Sequence, residues 1–150
     1  MFGKLNKENF ETAEAHCDGP CGVYDPAQAR IEAESVLMLT KKILDLKRPE
    51  GDDAQKAYGN TLARFISIKE QRAELAKHHL LVLWTDYFKP EHLAKYPDLH
   101  ETFWKAAKLC SSCKQEISLE HAQELMDAIK RVHEIFWESK GKDVAWYTNA

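Results

Sequence analysis

The sequence predicts an all-α protein, an up-and-down four-helix bundle. The bundle rests on three observations. Apolar residues recur at helical steps through most of the chain, the runs are bounded by capping residues, prolines or glycines, and strand signals are absent. No run of β-branched residues alternates with polar ones, and no Asn-Gly or Asp-Gly turn joins two such runs. A length of 150 residues fits one domain, and nothing repeats at a solenoid period.

Asp25-Pro26-Ala27-Gln28 reads as a helix start, with Asp25 at the N-cap, Pro26 at the first helical position and Gln28 placed to return the capping bond. Ile31, Ser35, Met38, Leu39, Ile43 and Leu46 form the expected inward face, until Arg48-Pro49-Glu50-Gly51 breaks it. Asp52-Asp53 is expected to cap a long second helix carrying Tyr58, Leu62, Phe65, Ile66, Lys69, Ala73, Ala76, Leu80, Leu83 and Tyr87 as far as Lys89-Pro90. Gly59 weakens its first turns, since glycine costs about 1 kcal/mol relative to alanine in a helix. Lys89 to Tyr96 reads as a loop. Pro97 opens a third helix with Leu99, Phe103, Ala106 and Cys110 inward. Ser118 caps a fourth with Leu119, Ala122, Leu125, Met126, Ile129, Val132, Ile135 and Phe136, and Gly141 ends it. Trp146 and Tyr147 in the tail fall outside any helical pattern and are expected to pack on the bundle or a neighbouring subunit.

Composition narrows the function. Hydrophobic residues make up 44% of the chain, enough for a core, and 21 basic residues face 24 acidic ones with no polybasic stripe, which argues against a nucleic-acid partner. The longest apolar stretch, Leu80 to Trp84, falls far short of the roughly 18 to 20 residues of a membrane span. Residues 1–15 end in Ala13-Glu14-Ala15, which imitates a signal-peptidase site but lacks the apolar segment a secretory signal needs. With four cysteines in a chain long enough to build a helical core, a disulfide framework is not required, and a reduced, cytoplasmic state is expected.

Chemistry concentrates in His16-Cys17-Asp18-Gly19-Pro20-Cys21-Gly22-Val23-Tyr24, which holds an imidazole, two thiols and a phenol just before the first helix. On its own, Cys-x-x-x-Cys also fits a flexible leader with two surface thiols. A cut between Ala15 and His16 would change that. His16 would then offer a free amine and an imidazole, Cys17 a backbone nitrogen and a thiolate, and Cys21 a second thiolate brought round by Pro20. Two nitrogens and two sulfurs in a plane suit Ni(II) or Cu(II), whereas zinc prefers a tetrahedron.

The run from His16 through Tyr24-Asp25-Pro26-Ala27-Gln28-Ala29-Arg30-Ile31-Glu32-Ala33-Glu34-Ser35 resembles the nickel hook and first helix of the nickel superoxide dismutase family. The resemblance resumes at Ile68-Lys69-Glu70-Gln71-Arg72-Ala73-Glu74-Leu75-Ala76-Lys77-His78-His79 and at Leu83-Trp84-x-Asp86-Tyr87-Phe88-Lys89-Pro90, then fades to Lys95-Tyr96-Pro97 and Ile135-Phe136-Trp137-Glu138. It implies a homohexamer of four-helix bundles that converts superoxide to dioxygen and hydrogen peroxide by Ni(II)/Ni(III) cycling, one nickel ion per subunit, after a maturation peptidase has removed the leader. By the same resemblance, His16, Cys17 and Cys21 ligate the metal, Glu32 and Arg72 orient the His16 imidazole, and Tyr24 and Tyr87 screen the open face. Glu32 and Arg72 also fit an ordinary surface pair worth about 0 to 1 kcal/mol, and Tyr87 a core position at helical spacing.

Gly19 stands where a bulkier residue is expected before Pro20, and its backbone freedom predicts a more flexible hook with lower metal affinity. The segment 48–60, Cys110-Ser-Ser-Cys113 and the tail lie outside the resemblance. Cys110 and Cys113 could form a metal half-site or a redox pair, but without a partner motif they read as two unpaired thiols at a helix end. His78 and His79 diverge by about 100° on a helix, so one is expected to pack and the other to be solvated. His92, His100, His121 and His133 show no ligand spacing. The competing reading is a non-catalytic carrier of nickel or copper. A carrier could use Cys17 and Cys21 in an uncut chain, whereas the enzyme requires the free His16 amine.

Overall fold

The first helix starts one residue later than expected: Pro26, not Asp25, is the cap, its carbonyl accepting the Arg30 N–H, and the Asp25 carboxylate accepts the Ala27 N–H at 2.8 Å just ahead of it. The computed structural model describes residues 21–149. In chain order these form α1 (Ala27–Asp45), α2 (Asp52–Val82) running into a π-helical turn (Leu83–Tyr87), a short α3 (Pro90–Lys95), α4 (Leu99–Gln115) and α5 (Leu119–Ser139). The four long helices pack in a ring, α1 on α2, α2 on α4, α4 on α5 and α5 on α1, which is the up-and-down arrangement. No helix among the described residues is long and apolar enough to cross a membrane.

Small residues let the helices approach closely. Ala29, Ala33, Ala73, Ala76, Ala106 and Ala122 are fully buried, with Leu80, Phe103, Leu125, Ile129, Ile135 and Phe136 filling the space between them. Ser118 caps α5 by accepting the His121 N–H at 3.1 Å. At the other end of α5, Gly141 takes φ 66° so that its N–H reaches the Glu138 carbonyl and the Lys142 N–H reaches that of Trp137. That paired closure needs the left-handed backbone that glycine adopts without strain. The inward faces expected for α4 and α5 are the ones observed, except that Leu119 is exposed.

Other expectations are corrected. The inward face of α1 is Ala29, Arg30, Ala33, Glu34, Val36, Leu37, Thr40 and Ile43, while Ile31 and Met38 are exposed and Ser35 and Leu39 are only partly covered. The face is rotated because Arg30 and Glu34 are buried as a pair at 3.1 Å, with side chains 5% and 7% exposed. Gly51, not Asp52-Asp53, occupies the cap of α2, at φ 87°; the two aspartates sit in the first turn, where negative charge favours the helix dipole. The core stripe of α2 begins only at Lys69, and Tyr58, Leu62, Phe65 and Ile66 are partly covered. Lys89 to Tyr96 is not a loop throughout, since Pro90 begins α3 with its backbone angle already set for a helix. Pro97 precedes α4 by a turn rather than opening it.

Lys69 is fully buried because its ammonium donates to the carbonyls of Cys113, Lys114 (3.3 Å) and Glu116 (2.9 Å), groups left open where α4 ends. Burial pulls its pKa below the ordinary lysine value. Cys110 and Cys113, on the same helix, are free and buried, and burial raises their thiols to about 12 and about 11, so they stay protonated and unreactive. The tail packs on its own bundle. The Val144 carbonyl lies 2.7 Å from His133 Nε2, Trp146 meets the His133 ring at 5.4 Å, Tyr147 lies under the Arg30 guanidinium at 4.2 Å, and the Asn149 N–H reaches Glu34.

Candidate functional site

Cys21 is a free, exposed thiol at the head of the described chain. Its sulfur accepts the Val23 N–H at 3.5 Å, and Gly22 turns the backbone at φ 65°. The turn feeds into Tyr24, whose ring packs on the core with its centroid 5.6 Å from that of Tyr87. His16 and Cys17, the other expected metal donors, and Gly19 lie outside the described residues.

Tyr87 is the last residue of the π-helical turn. There the Phe88 N–H reaches back five residues to the Leu83 carbonyl at 3.1 Å, which inserts an extra residue into the helix and shifts the downstream side chains around its axis. The Tyr87 ring meets Phe136 at 4.5 Å and stacks on His92 at 5.8 Å with 17° between planes. Tyr24 and Tyr87, with Gly22, Asp86, Lys89, Glu91 and His92, line a cavity of about 330 Å³. The cavity therefore begins one residue after Cys21.

Glu32 on α1 and Arg72 on α2 are brought together across the helix pair. Arg72 Nη1 donates to both Glu32 oxygens, at 3.2 and 3.1 Å, with the Glu32 side chain 13% and the Arg72 side chain 43% exposed. His79 is close enough to feel Glu32. Burial lowers its pKa first, the neighbouring His78 lowers it further, and the Glu32 charge opposes both. His79 is the partly covered member of the histidine pair and His78 the exposed one, as expected, with ring centroids 5.5 Å apart.

Sequence alone overlooks His92. Its Nδ1 accepts the Lys89 N–H at 2.9 Å and its own N–H donates to the Lys89 carbonyl, closing the start of α3 and setting the ring against Tyr87. Lys89-Pro90-Glu91-His92 carries the signal: proline at the first helical position with an acceptor side chain two residues later.

A soft thiolate at an exposed turn suits a late transition metal. Among the described residues no three His, Cys, Asp or Glu side chains are grouped to hold a metal ion. A metal on Cys21 would take its other donors from outside them, where His16 and Cys17 stand, and that donor chemistry fits nickel.

Comparison with known proteins gives the same direction. Residues 11–140 match the family described as nickel-containing superoxide dismutase. A "Superoxide dismutase [Ni]" of Streptomyces seoulensis is 51% identical over 126 residues, covering 84% of this chain and 88% of that protein. Its namesake from Streptomyces coelicolor is 48% identical over 129 residues, covering 86% and 91%. Among solved structures, a native nickel superoxide dismutase superposes with a TM-score of 0.70 at 48% identity, covering 83% of this chain and 99% of that one. A nickel superoxide dismutase with the ligation of its oxidised state gives 0.71 at 48% identity, with 84% and 99% covered. On this match across most of its length, the chain belongs to the nickel-containing superoxide dismutase family.

Proposed function

We propose that the chain consumes superoxide at a hook formed by His16, Cys17 and Cys21 once residues 1–15 have been removed. Two superoxide anions and two protons give one dioxygen and one hydrogen peroxide. Nickel is the cofactor that family membership brings, held by His16, Cys17 and Cys21, and when bound it would supply the electron exchange through its Ni(II) and Ni(III) states. The observation that carries this reading is the free, exposed Cys21 thiol one residue ahead of the cavity lined by Tyr24 and Tyr87.

The remaining chemistry belongs to this chain's own side chains. Glu32, largely covered and tied to Arg72, is an anionic acceptor for the free N–H of the His16 imidazole, and such a contact fixes both the tautomer and the ring orientation of a ligating histidine. Tyr24 and Tyr87 narrow the approach to the hook, so that small molecules enter and larger ones do not. Exposed Ile31, Met38, Leu75 and Leu81 support assembly with further copies, for which we infer the homohexamer. Removal of the leader calls for a maturation peptidase, reduced thiols favour the cytoplasm, and the even charge balance favours no nucleic-acid partner.

Glu32→Ala and Arg72→Ala test the site in the leader-free, nickel-supplied chain. Wild type should accelerate superoxide decay, measured by pulse radiolysis, and each variant should lose about tenfold to a hundredfold while still taking up nickel. Unchanged rates in both variants would return the pair to a surface salt bridge. Nickel uptake with decay at the spontaneous rate in wild type would favour the carrier.

A further inference from the structure

Ser139, the last residue of α5, lies 2.7 Å from the Tyr87 hydroxyl through its Oγ, and the same Oγ donates to the Phe136 carbonyl at 2.6 Å. A serine hydroxyl has one hydrogen, and a carbonyl oxygen can only accept. Ser139 therefore spends its hydrogen on Phe136, and the Tyr87 O–H must be the donor of the bond between them. With its only hydrogen committed, the phenol oxygen can make further bonds only as an acceptor.

We propose that Ser139 is a positioning residue for the dismutation. By accepting the hydrogen bond of the Tyr87 O–H it fixes the ring that lines the cavity and leaves the phenol oxygen only an acceptor, never a hydrogen-bond donor to the superoxide anion. The ring has little freedom besides. Phe136 meets it at 4.5 Å and His92 stacks on it, while the Lys140 ammonium lies 5.2 Å from the Tyr87 centroid and 4.9 Å from that of Phe136. An anion, which needs donors, gains nothing at this oxygen, whereas water and hydrogen peroxide carry O–H groups that it accepts. Tyr87 thus discriminates between the anionic substrate and the neutral product. This rests on the reading of Tyr87 as a residue beside the metal hook.

The test has one arm without metal and one with it. In the metal-free protein, isotope-edited infrared spectra of ring-13C tyrosine, with Tyr87→Phe subtracted to assign the band, report whether the phenol donates a hydrogen bond. The band should shift in Ser139→Ala and return in Ser139→Thr. In the leader-free, nickel-loaded enzyme, Ser139→Ala frees the Tyr87 ring and lets its O–H hold superoxide at the phenol, away from the hook, so kcat/KM should fall by about two- to tenfold, the worth of one hydrogen bond, and Ser139→Thr should restore it. In a Tyr87→Phe background Ser139→Ala should have no further effect. An unshifted band, or the same loss with and without the Tyr87 hydroxyl, would overturn the proposal. Failure of the nickel hook itself would abolish the kinetic arm in wild type and leave the infrared arm unaffected.

Discussion

Cys21→Ser is expected to reduce superoxide consumption to the spontaneous rate while the helical circular dichroism and the melting temperature stay those of wild type. Both halves of the expectation come from where the residue sits. Cys21 lies ahead of α1, is exposed, and makes a weak contact to the Val23 N–H, so among the described residues the bundle does not depend on it. Exposed substitutions of that kind change stability by no more than about 0.5 kcal/mol. On the proposed reading the chemistry depends on it fully. A thiolate is a soft, electron-rich donor available near neutral pH, whereas a serine hydroxyl keeps its proton and is a poor partner for a late transition metal. Cys17→Ser should behave alike. Nickel-dependent activity retained in either variant would remove the sulfurs from the reaction.

Glu34→Ala should give the largest loss of stability of any single change outside the apolar core. Arg30 and Glu34 lie in the groove between α1 and α5, closed over by the tail, with Tyr147 under the guanidinium and the Asn149 N–H on the carboxylate. Removing one partner of a buried pair strands the other charge, at about 3 to 5 kcal/mol, or about 10 °C or more of melting temperature for a chain of this size. The tail covers the pair through Tyr147 and Asn149. A chain ending at Lys142 keeps the glycine closure of α5 but opens the pair to water, where exposed pairs are worth about 0 to 1 kcal/mol. Glu34→Ala should therefore cost much less in the truncated chain than in the full one, as thermal melts of the four proteins would show. Equal costs in both would mean that the tail does not shield the pair. Residues 141–149 lie beyond the family match, so this strap belongs to the part of the chain that the resemblance does not explain.

How much could be read from the sequence depended on whether the deciding interactions were local. Ser118 and Gly141 were legible because a cap bonds within its own turn, and α4 and α5 because their inward stripes are apolar but for His133. α1 was not. Its inward face holds Arg30 and Glu34, which any hydrophobic pattern assigns to solvent, and the groups that bury them arrive from Tyr147 and Asn149 at the far end of the chain. Lys69 fell on the predicted face by period alone. Its reason for being there, the open carbonyls at the end of α4, is a tertiary one. α3 was too short to show a period, and the π-helical turn that sets Tyr87 has no composition of its own. At the site, Glu32 and Arg72 stand 40 residues apart and were paired only through the family resemblance. Ser139 carries no motif and His92 only the local signal of a helix start, and their relation to Tyr87 exists only once α5 and the start of α3 are folded against it.

The amine of His16 is the feature of the site most directly open to measurement. In the uncut chain that nitrogen belongs to a peptide bond and has no basic lone pair, so it could not serve the proposed metal site as an amine donor. Three proteins decide the matter: the full chain, a chain beginning at His16, and one retaining Ala15 as a single extra residue, each confirmed by intact mass, supplied with nickel and assayed for superoxide loss. Activity in the chain beginning at His16 alone is the predicted result. Equal activity in all three would contradict it and require a different set of ligands.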